Sequence, residues 1–264
     1  MRYNQHTSES VSDGHPDKIA DQISDAVLDH VLSQDPNGRV ACEVMVKERL
    51  VIISGEITAH CEIDYSSIVC DVLSRIYQKS VTDQDVELII KVGEQSPEIA
   101  HGVDHDQGIG AGDQGIMYGY ATDETEQFMP MPIYLSHQLM RAHQALRKHE
   151  SVLGADAKSQ VTVAYQDGKP VYVKSIVLST QHTEDISLDS LRDMVMEKII
   201  KPVIPQVLLT DKTTYFVNPS GSFIQGGPSA DCGLTGRKLM VDSYGGFALH
   251  GGGAFSGKDC TKVD

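Results

Sequence analysis

A short polar segment near the N-terminus has residue types suited to binding an anion and a metal. Gly14-His15-Pro16-Asp17-Lys18 places an imidazole, a carboxylate and an ammonium side by side. Pro16 suits the first position of a helix, and unpaired N–H groups at a helix start favour anions. Asp17 could hold Mg²⁺ with substrate phosphate oxygens, and His15 could donate to a leaving oxygen. The alternative is an ordinary helix start with Asp17 favourable to the dipole.

The segment 252–259 is close to a phosphate-binding loop. Gly252-Gly-Ala-Phe-Ser-Gly-Lys-Asp has glycines and Lys258 at the spacing of that motif, but Asp259 stands where Ser or Thr should bind the metal. The standard motif is therefore rejected. Glycine backbone can still approach oxygens closely and Lys258 can pair with negative charge, so the segment is predicted to bind an anion.

A second cationic segment is Asp231-Cys-Gly-Leu-Thr-Gly-Arg237-Lys238. Adjacent cations in an acidic chain favour a polyanionic ligand. Each charge-assisted contact contributes about 1.5 to 3 kcal/mol, so several are needed to hold a triphosphate. A solvated basic turn is the alternative, and it is also the alternative for Asp156-Ala-Lys158, which precedes a predicted strand.

A further glycine-rich segment, residues 110–115, matches the GxGxxG pattern of dinucleotide-binding proteins. No strand is predicted before it and no helix after it, so the dinucleotide interpretation fails its context. A mobile loop is predicted instead, with Asp113 able to meet an ammonium group if the loop covers a pocket.

Hydrophobic periodicity predicts two successive units of helix, hairpin, helix and strand. In the second unit the Asp167-Gly168 pair predicts a tight hairpin turn. This order indicates an α+β fold with repeated β-sheets covered by helices, and a third unit is predicted to begin within residues 218–264. The predicted helices span 17–32, 63–77, 132–148 and 187–200, and the predicted strands 40–46, 50–58, 87–92, 159–165, 171–180 and 213–217.

Composition excludes several classes of protein. The chain has 264 residues, 40% hydrophobic and 22% charged, and no apolar run approaches the roughly 18 residues that a membrane span needs. The net charge of −15 argues against nucleic-acid binding. Five cysteines without CxxC spacing favour a reduced cytoplasmic protein over a disulfide or zinc framework, and no signal peptide is predicted.

The chain resembles the S-adenosylmethionine synthetase (methionine adenosyltransferase) family from His6 to Asp264. The strings that carry the resemblance occur in the family's order: GHPDK, ACE, SGEIT, GAGDQG, DAKSQVT, STQH, NPSG, IQGGP, DCGLTGRK and HGGGAFSGKD. The resemblance implies that methionine sulfur attacks the ribose C5′ of ATP. The triphosphate leaves and is then cleaved to diphosphate and phosphate.

The resemblance also implies roles for individual residues. Asp17 and Asp264 would ligate the two Mg²⁺ ions of the site, and Glu43 would contribute to a K⁺ site. The implied catalytic residues are His15, Lys158, Arg237 and Lys258. The implied ATP-binding residues are His15, Asp156, Lys158, Ser222, Phe223, Asp231, Arg237, Lys238, Ala254 and Lys258. The implied methionine-binding residues are Glu56, Gln95, Asp113, Asp231 and Lys262.

The family's architecture sets further expectations. Three similar domains with pseudo-threefold symmetry are implied, and the sites lie between subunits of a dimer that pairs into a tetramer. We expect an N-terminal α+β domain at 1–100, a mobile active-site loop at 101–112, a central domain at 113–231 and the start of a third domain at 232–264. The active-site lid would begin near Gln95.

The sequence leaves alternatives open. Relatives continue past Asp264, so the chain is expected to be a fragment or a short relative with weak or no activity. A non-catalytic subunit that binds ATP or methionine is one alternative. Another ATP-dependent small-molecule kinase, which would release ADP, is the second. Ser222, where many relatives have Arg, and Cys260 are departures expected to tune binding.

Overall fold

The computed structural model describes residues 4–96, 104–105, 108–111 and 115–262. Contacts divide the chain into two compact units, which are treated separately below. The first unit comprises Met1–His15, Gly119–Gly227 and Met240–Leu249, and the second comprises Pro16–Tyr118, Pro228–Leu239 and His250–Asp264. Within the described ranges, no helix has both the length and the apolar character that a bilayer span requires.

Helices are interspersed with single strands and strand pairs along the chain. In order they are β1 (Asn4–Val11), α1 (Pro16–Gln34), β2 (Arg39–Lys47), β3 (Leu50–Thr58), α2 (Tyr65–Tyr77), β4 (Glu87–Gly93), β5 (Asp104–His105), β6 (Gly108–Ile109), α3 (Met131–Arg147), β7 (Leu153–Gln166), β8 (Lys169–His182), α4 (Leu188–Val195), β9 (Thr214–Val217), β10 (Gly233–Leu234) and α5 (Leu239–Asp242). A π-helical turn, Met196–Ile200, continues α4 and leads into a helical turn at Lys201–Val203. Short 3-10 turns lie at Asp83–Asp85, Gln206–Leu208 and Gly227–Ser229.

The first unit is built on a sheet of order β1-β7-β8-β9. The first two pairings are antiparallel, and β8 pairs with β9 in parallel. Asp167 and Gly168, between β7 and β8, have φ values of 52° and 77°. Two positive φ values are what a two-residue hairpin turn requires, so the predicted turn is confirmed. Helices α3 and α4 cover one face, and the core includes Leu139, Val161 and Leu191.

The second unit repeats this pattern on a sheet of order β10-β2-β3-β4. Here β10 and β3 flank β2 in antiparallel fashion, and β4 runs parallel to β3. Helix α1 turns its apolar side to the sheet, because Ile19, Ile23, Val27 and Val31 recur every four residues and all are fully buried. Helix α2 begins after Asp64, whose carboxylate accepts the Ser67 N–H.

The predicted order of helix, hairpin, helix and strand is confirmed in both units, and the α+β fold class with it. Three features differ from the predictions. The polar N-terminus forms a full strand, β1, because it completes the edge of β7. Strand β7 begins at Leu153, so Asp156 and Lys158 lie inside the strand and do not precede it. A two-residue strand, β6, precedes Gly110, where no strand was predicted.

Candidate functional site

In the second unit, two separate segments add to the free edge of β2. Loop I (residues 231–238) contributes β10 and Thr235. The Thr235 N–H donates to the Val44 carbonyl at 3.0 Å, a length typical of hydrogen bonds in a sheet. Loop II (residues 250–259) continues the edge, because Cys42 N–H donates to the Gly257 carbonyl at 2.9 Å. Ala41 and Lys258 form an antiparallel bridge. The edge of β2 therefore brings together two loops that both lie far from β2 in the sequence.

The lysines Lys238 and Lys258 of these two loops each face a carboxylate. Lys238 Nζ lies 2.5 Å from Asp17 Oδ2, at the start of α1. Lys258 Nζ lies 2.5 Å from Glu43 Oε1, on β2. Arg237 is exposed to solvent. The structure thus places Asp17 beside Lys238 and Glu43 beside Lys258, as expected for a site that balances phosphate, metal and fixed charge.

Asp17 is a carboxylate predicted to be a ligand for Mg²⁺. Its residue is 3% exposed, and its Oδ1 accepts the Leu234 N–H at 3.0 Å. Over the ranges the structure describes, no group of three or more His, Cys, Asp or Glu side chains could enclose a metal. Mg²⁺ commonly takes one or two carboxylates and completes its shell with phosphate oxygens and water, so Asp17 fits this mode of binding.

The outer face of the second unit's sheet carries further predicted residues in one cross-strand row. Lys258, Ala41, Glu56 and Gly93 are successive partners across the neighbouring strands. Residues directly opposite one another in a sheet share a face, so Lys258 and Glu56 lie on the same side. Glu43 belongs to the next row on that side, opposite Ser54. Residues predicted for ATP, methionine and K⁺ are thereby collected on one sheet face.

The other predicted residues of this unit lie on the loops and beyond β4. Gln95 is half-buried, and its N–H donates to Thr58 Oγ1 at 3.0 Å. Lys262 Nζ lies 2.6 Å from Asp259 Oδ2. Asp231 is exposed and accepts the N–H of Cys232. Ala254 is half-buried and faces Gly236.

Two predicted residues and half of the loop predicted at 101–112 lie outside the described residues. Asp113 and Asp264 are the two residues, so their methionine and Mg²⁺ roles stay predictions. Of the loop predicted at 101–112, the structure describes 104–105 and 108–111, which include the short β5 and β6 ladder.

In the first unit, the turn before α1 is fixed to β7. Ser12 N–H donates to the Ala157 carbonyl at 2.9 Å, and Ser12 Oγ donates to the Ala155 carbonyl at 2.7 Å. His15 follows this turn and is 3% exposed, with its N–H donating to the Ser12 carbonyl. The turn is thus held beside the strand residues that flank Asp156.

Asp156 and Lys158 occupy the same strand but have different environments. Asp156 is 4% exposed, and its Oδ2 accepts the Gly227 N–H at 2.9 Å. Lys158 is exposed. An acceptor buried in this way fixes a loop, whereas an exposed ammonium remains available to a ligand. Asp156 therefore acts here on the backbone of the segment that follows Phe223.

The segment of Ser222 and Phe223 is attached to the end of β8. The backbone N–H of His182 donates to the Phe223 carbonyl at 2.9 Å. Phe223 N–H also donates to His182 Nε2 at 3.1 Å. Gln181 Nε2 donates to the Ile224 carbonyl at 3.1 Å. Phe223 is half-buried and Ser222 is exposed, so an aromatic face is held at the surface of this unit.

Sequence reasoning missed several residues that hold the site. His182 and Gln181 fix the Phe223 segment, and Asp21 and Asp25 accept backbone N–H groups of loops I and II. A signal for the two aspartates was present, because they follow Asp17 at four-residue spacing and so share its helix face.

The fold and the site define a class of protein: a repeated α+β protein whose loops bring lysines and their carboxylate partners together at one strand edge, an arrangement suited to a polyphosphate ligand. Three family models match the chain in sequence order. They are the S-adenosylmethionine synthetase N-terminal domain over residues 3–97, the central domain over 108–223 and the C-terminal domain over 225–264.

A curated relative shows the same relationship over almost the whole chain. The S-adenosylmethionine synthase of Desulforudis audaxviator (strain MP104C) is 52% identical over 275 residues. The match covers 98% of this chain and 70% of the relative. The chain belongs to the S-adenosylmethionine synthetase family.

Proposed function

We propose that this chain makes S-adenosylmethionine from ATP and L-methionine. The observation that carries the proposal is the shared edge of β2, where loops I and II place Lys238 and Lys258 beside Asp17 and Glu43. Family membership supplies the reaction. The sulfur of methionine attacks the ribose C5′, the C5′–O bond breaks, and the triphosphate leaves with the bonding electrons before it is cleaved to diphosphate and phosphate.

The cations of the second unit act on the triphosphate. Arg237, Lys238 and Lys258 bind its oxygens and stabilise the negative charge that develops on the leaving oxygen. Lys238 and Lys258 are paired with carboxylates in this structure. When the triphosphate binds, these two lysines exchange carboxylate partners for phosphate oxygens. Fixed cations of this kind lower the barrier because they need little reorganisation during the reaction.

A second set of predicted residues is assigned to the nucleoside and to departure of the triphosphate. Phe223 offers a ring for the adenine, with Ser222 beside it, and Asp156 holds the backbone at Gly227. Lys158 adds an exposed ammonium for phosphate oxygens. His15 donates a proton or a hydrogen bond to the leaving oxygen.

Mg²⁺ and K⁺ are the proposed cofactors. Asp17 and Asp264 would hold Mg²⁺, and Glu43 would contribute to the K⁺ site. When bound, Mg²⁺ supplies Lewis-acid stabilisation of the triphosphate oxygens. Asp17 supports this assignment because it is a buried carboxylate at a helix start beside the proposed phosphate-binding cations.

Methionine is proposed to bind to the second unit. Glu56, Asp113 and Asp231 would face its ammonium group, and Gln95 and Lys262 would lie nearer its carboxylate. Glu56 supports this arrangement because it shares the cross-strand row of Lys258.

We also propose a cytoplasmic location and self-association. Cys42, Cys61, Cys70, Cys232 and Cys260 are all free thiols, which suits a reducing compartment.

The outer face of the second unit's sheet carries Ile89, which is 51% exposed and lies opposite Ile52. An exposed apolar strand of this kind favours burial against a second copy. The domain division at 1–100, 101–112, 113–231 and 232–264 and the lid remain part of this proposal.

A product assay tests the proposal. The purified chain is incubated with ATP, methionine, Mg²⁺ and K⁺, and S-adenosylmethionine, diphosphate and phosphate are measured together. Equal amounts of all three products are expected. Release of ADP would indicate a kinase, and ligand-induced thermal stabilisation without turnover would indicate a non-catalytic subunit.

A matched pair of lysine variants makes the assay specific. Lys258→Met is expected to reduce turnover by roughly a hundredfold, since it removes a cation that stabilises the negative charge of the leaving triphosphate. Lys201→Met is the control, because Lys201 is an exposed lysine in an ion pair with Glu197 on a segment without predicted site residues. Equal loss of turnover in the two variants would contradict the role of Lys258.

A further inference from the structure

Helix α1 carries three aspartates that hold the backbone of loops I and II. Asp17 Oδ1 accepts the Leu234 N–H at 3.0 Å, and Asp21 Oδ1 accepts the Gly236 N–H at 2.9 Å. Asp25 Oδ1 accepts the Gly257 N–H at 3.0 Å. The three carboxylates are four residues apart, so they form a row along one helix face. Each of these three carboxylates accepts a backbone N–H from a residue that is close in sequence to Lys238 or Lys258.

The contacts between α1 and the loops leave little room for movement. Gly257 has a φ of 74°, and a Cβ at this position would come within 2.7 Å of Ser24 Cβ. A Cβ on Gly236, which has a φ of 75°, would come within 2.4 Å of Ala254 Cβ. Only glycine tolerates both the backbone conformation and the close approach. Loop II is therefore packed on α1, and loops I and II contact each other.

The carboxylates of Asp21 and Asp25 are not free surface charges, because Asp21 is buried and Asp25 is half-buried. Asp21 is 2% exposed, and its second oxygen lies 3.1 Å from Lys18 Nζ. Burial raises the pKa of Asp25, while the hydrogen bond from Gly257 acts in the opposite direction. A buried carboxylate is costly unless donors satisfy it, and here those donors are the loop N–H groups.

We propose that Asp21 and Asp25 are positioning residues for triphosphate binding, each setting the place of a loop that carries phosphate-binding cations. Asp21 fixes Gly236, next to Arg237 and Lys238, and Asp25 fixes Gly257, next to Lys258. Neither aspartate touches the ligand in this arrangement. The inference rests on the proposed function and deepens it.

The test compares variants of the two aspartates with a control on the same helix. Asp21→Ala and Asp25→Ala remove the acceptor, whereas Asp21→Asn and Asp25→Asn keep an oxygen that can accept the same N–H. Asp29→Ala is the matched control, because Asp29 continues the four-residue spacing but is exposed. The probe is inorganic tripolyphosphate with Mg²⁺, and its affinity is measured by titration calorimetry.

The expected result has three parts. The alanine variants bind tripolyphosphate about tenfold or more weakly, as loss of a hydrogen bond to a charged group predicts. The asparagine variants recover most of that affinity, and Asp29→Ala binds as the original chain does. In hydrogen exchange followed by NMR, the amide of Gly236 exchanges faster in Asp21→Ala and the amide of Gly257 exchanges faster in Asp25→Ala. Amides of the β2–β3 ladder keep their protection in both variants.

Three outcomes would overturn the proposal. They are unchanged tripolyphosphate affinity in both alanine variants, an equal loss in Asp29→Ala, and a general rise in exchange across the β2–β3 ladder in place of the selective one. Failure of the proposed function would look different. The original chain would then bind no tripolyphosphate, and exchange at Gly236 and Gly257 would still decide whether the aspartates hold the loops.

Discussion

His143 lies on α3 with no solvent exposure, so its protonation should control the stability of the first unit. Its Nε2 lies 2.8 Å from Thr180 Oγ1, and within the described part of the chain its Nδ1 has no hydrogen-bond partner. Burial, together with the nearby Arg147 charge, lowers the pKa of His143 to about 4. Adding a proton would create a second donor with no acceptor and a charge beside another cation.

The sign of the effect follows from the two pKa values. The unfolded chain takes up the proton near pH 6.5, whereas the folded chain resists it until about pH 4. The His143 contribution is therefore fully present above pH 6.5 and is lost as the pH falls towards 4. The whole shift corresponds to about 3 kcal/mol, and the loss between roughly pH 7.5 and pH 5 is about 2 kcal/mol.

The measurement is chemical denaturation of the original chain and of His143→Gln at these two pH values. Gln can keep the hydrogen bond to Thr180 but does not titrate. The difference in free energy of unfolding between the two proteins is expected to shrink by about 2 kcal/mol at the lower pH.

An exposed histidine provides the control for this experiment. His149 lies just after α3 and is exposed, so His149→Gln should differ from the original chain by the same small amount at both pH values. A difference between the original chain and His143→Gln that does not change with pH would refute the reasoning.

Two further predictions concern cysteine reactivity and self-association. Cys42 is fully buried and burial raises its pKa to about 12, so iodoacetamide should modify the exposed Cys260 in the native protein and reach Cys42 only after unfolding. Peptide mass spectrometry measures this, and comparable labelling of both thiols in the native state would contradict it. Ile89→Lys replaces an exposed apolar side chain on the outer face of the sheet with a charge, and light scattering should show a lower molar mass than for the original chain. A monomeric original chain would contradict the proposed self-association.

Much of the fold could be predicted because local patterns agree with the tertiary structure. The four-residue spacing of Ile19, Ile23, Val27 and Val31 defines the buried side of α1 with no information about its neighbours. The Asp167-Gly168 turn is equally local, since its two positive φ values depend on these two residues. Strand β1 was missed because its partner lies far away in the sequence, at Val161 and neighbouring residues of β7.

The candidate site was predicted in its residue types but not in its connections. Asp17, Lys238 and Lys258 were singled out from their motifs, yet nothing local indicates that Lys238 pairs with Asp17 or Lys258 with Glu43. The hydrogen bonds from Gly236 to Asp21 and from Gly257 to Asp25 were missed as well, because they too join residues that are far apart in the sequence. On a helix such residues resemble solvated surface charges until the packed loops are known.

The sequence by itself determined the family and the order of helices and strands, and it predicted which residues would bind phosphate, metal and methionine. These properties reside in short motifs and in periodicity, which act over a few residues. Only the tertiary structure decided that one free edge of β2 accepts both loop I and loop II. That edge has unpaired backbone N–H and C=O groups that must find partners, and Thr235 and Gly257 supply them from segments far along the chain.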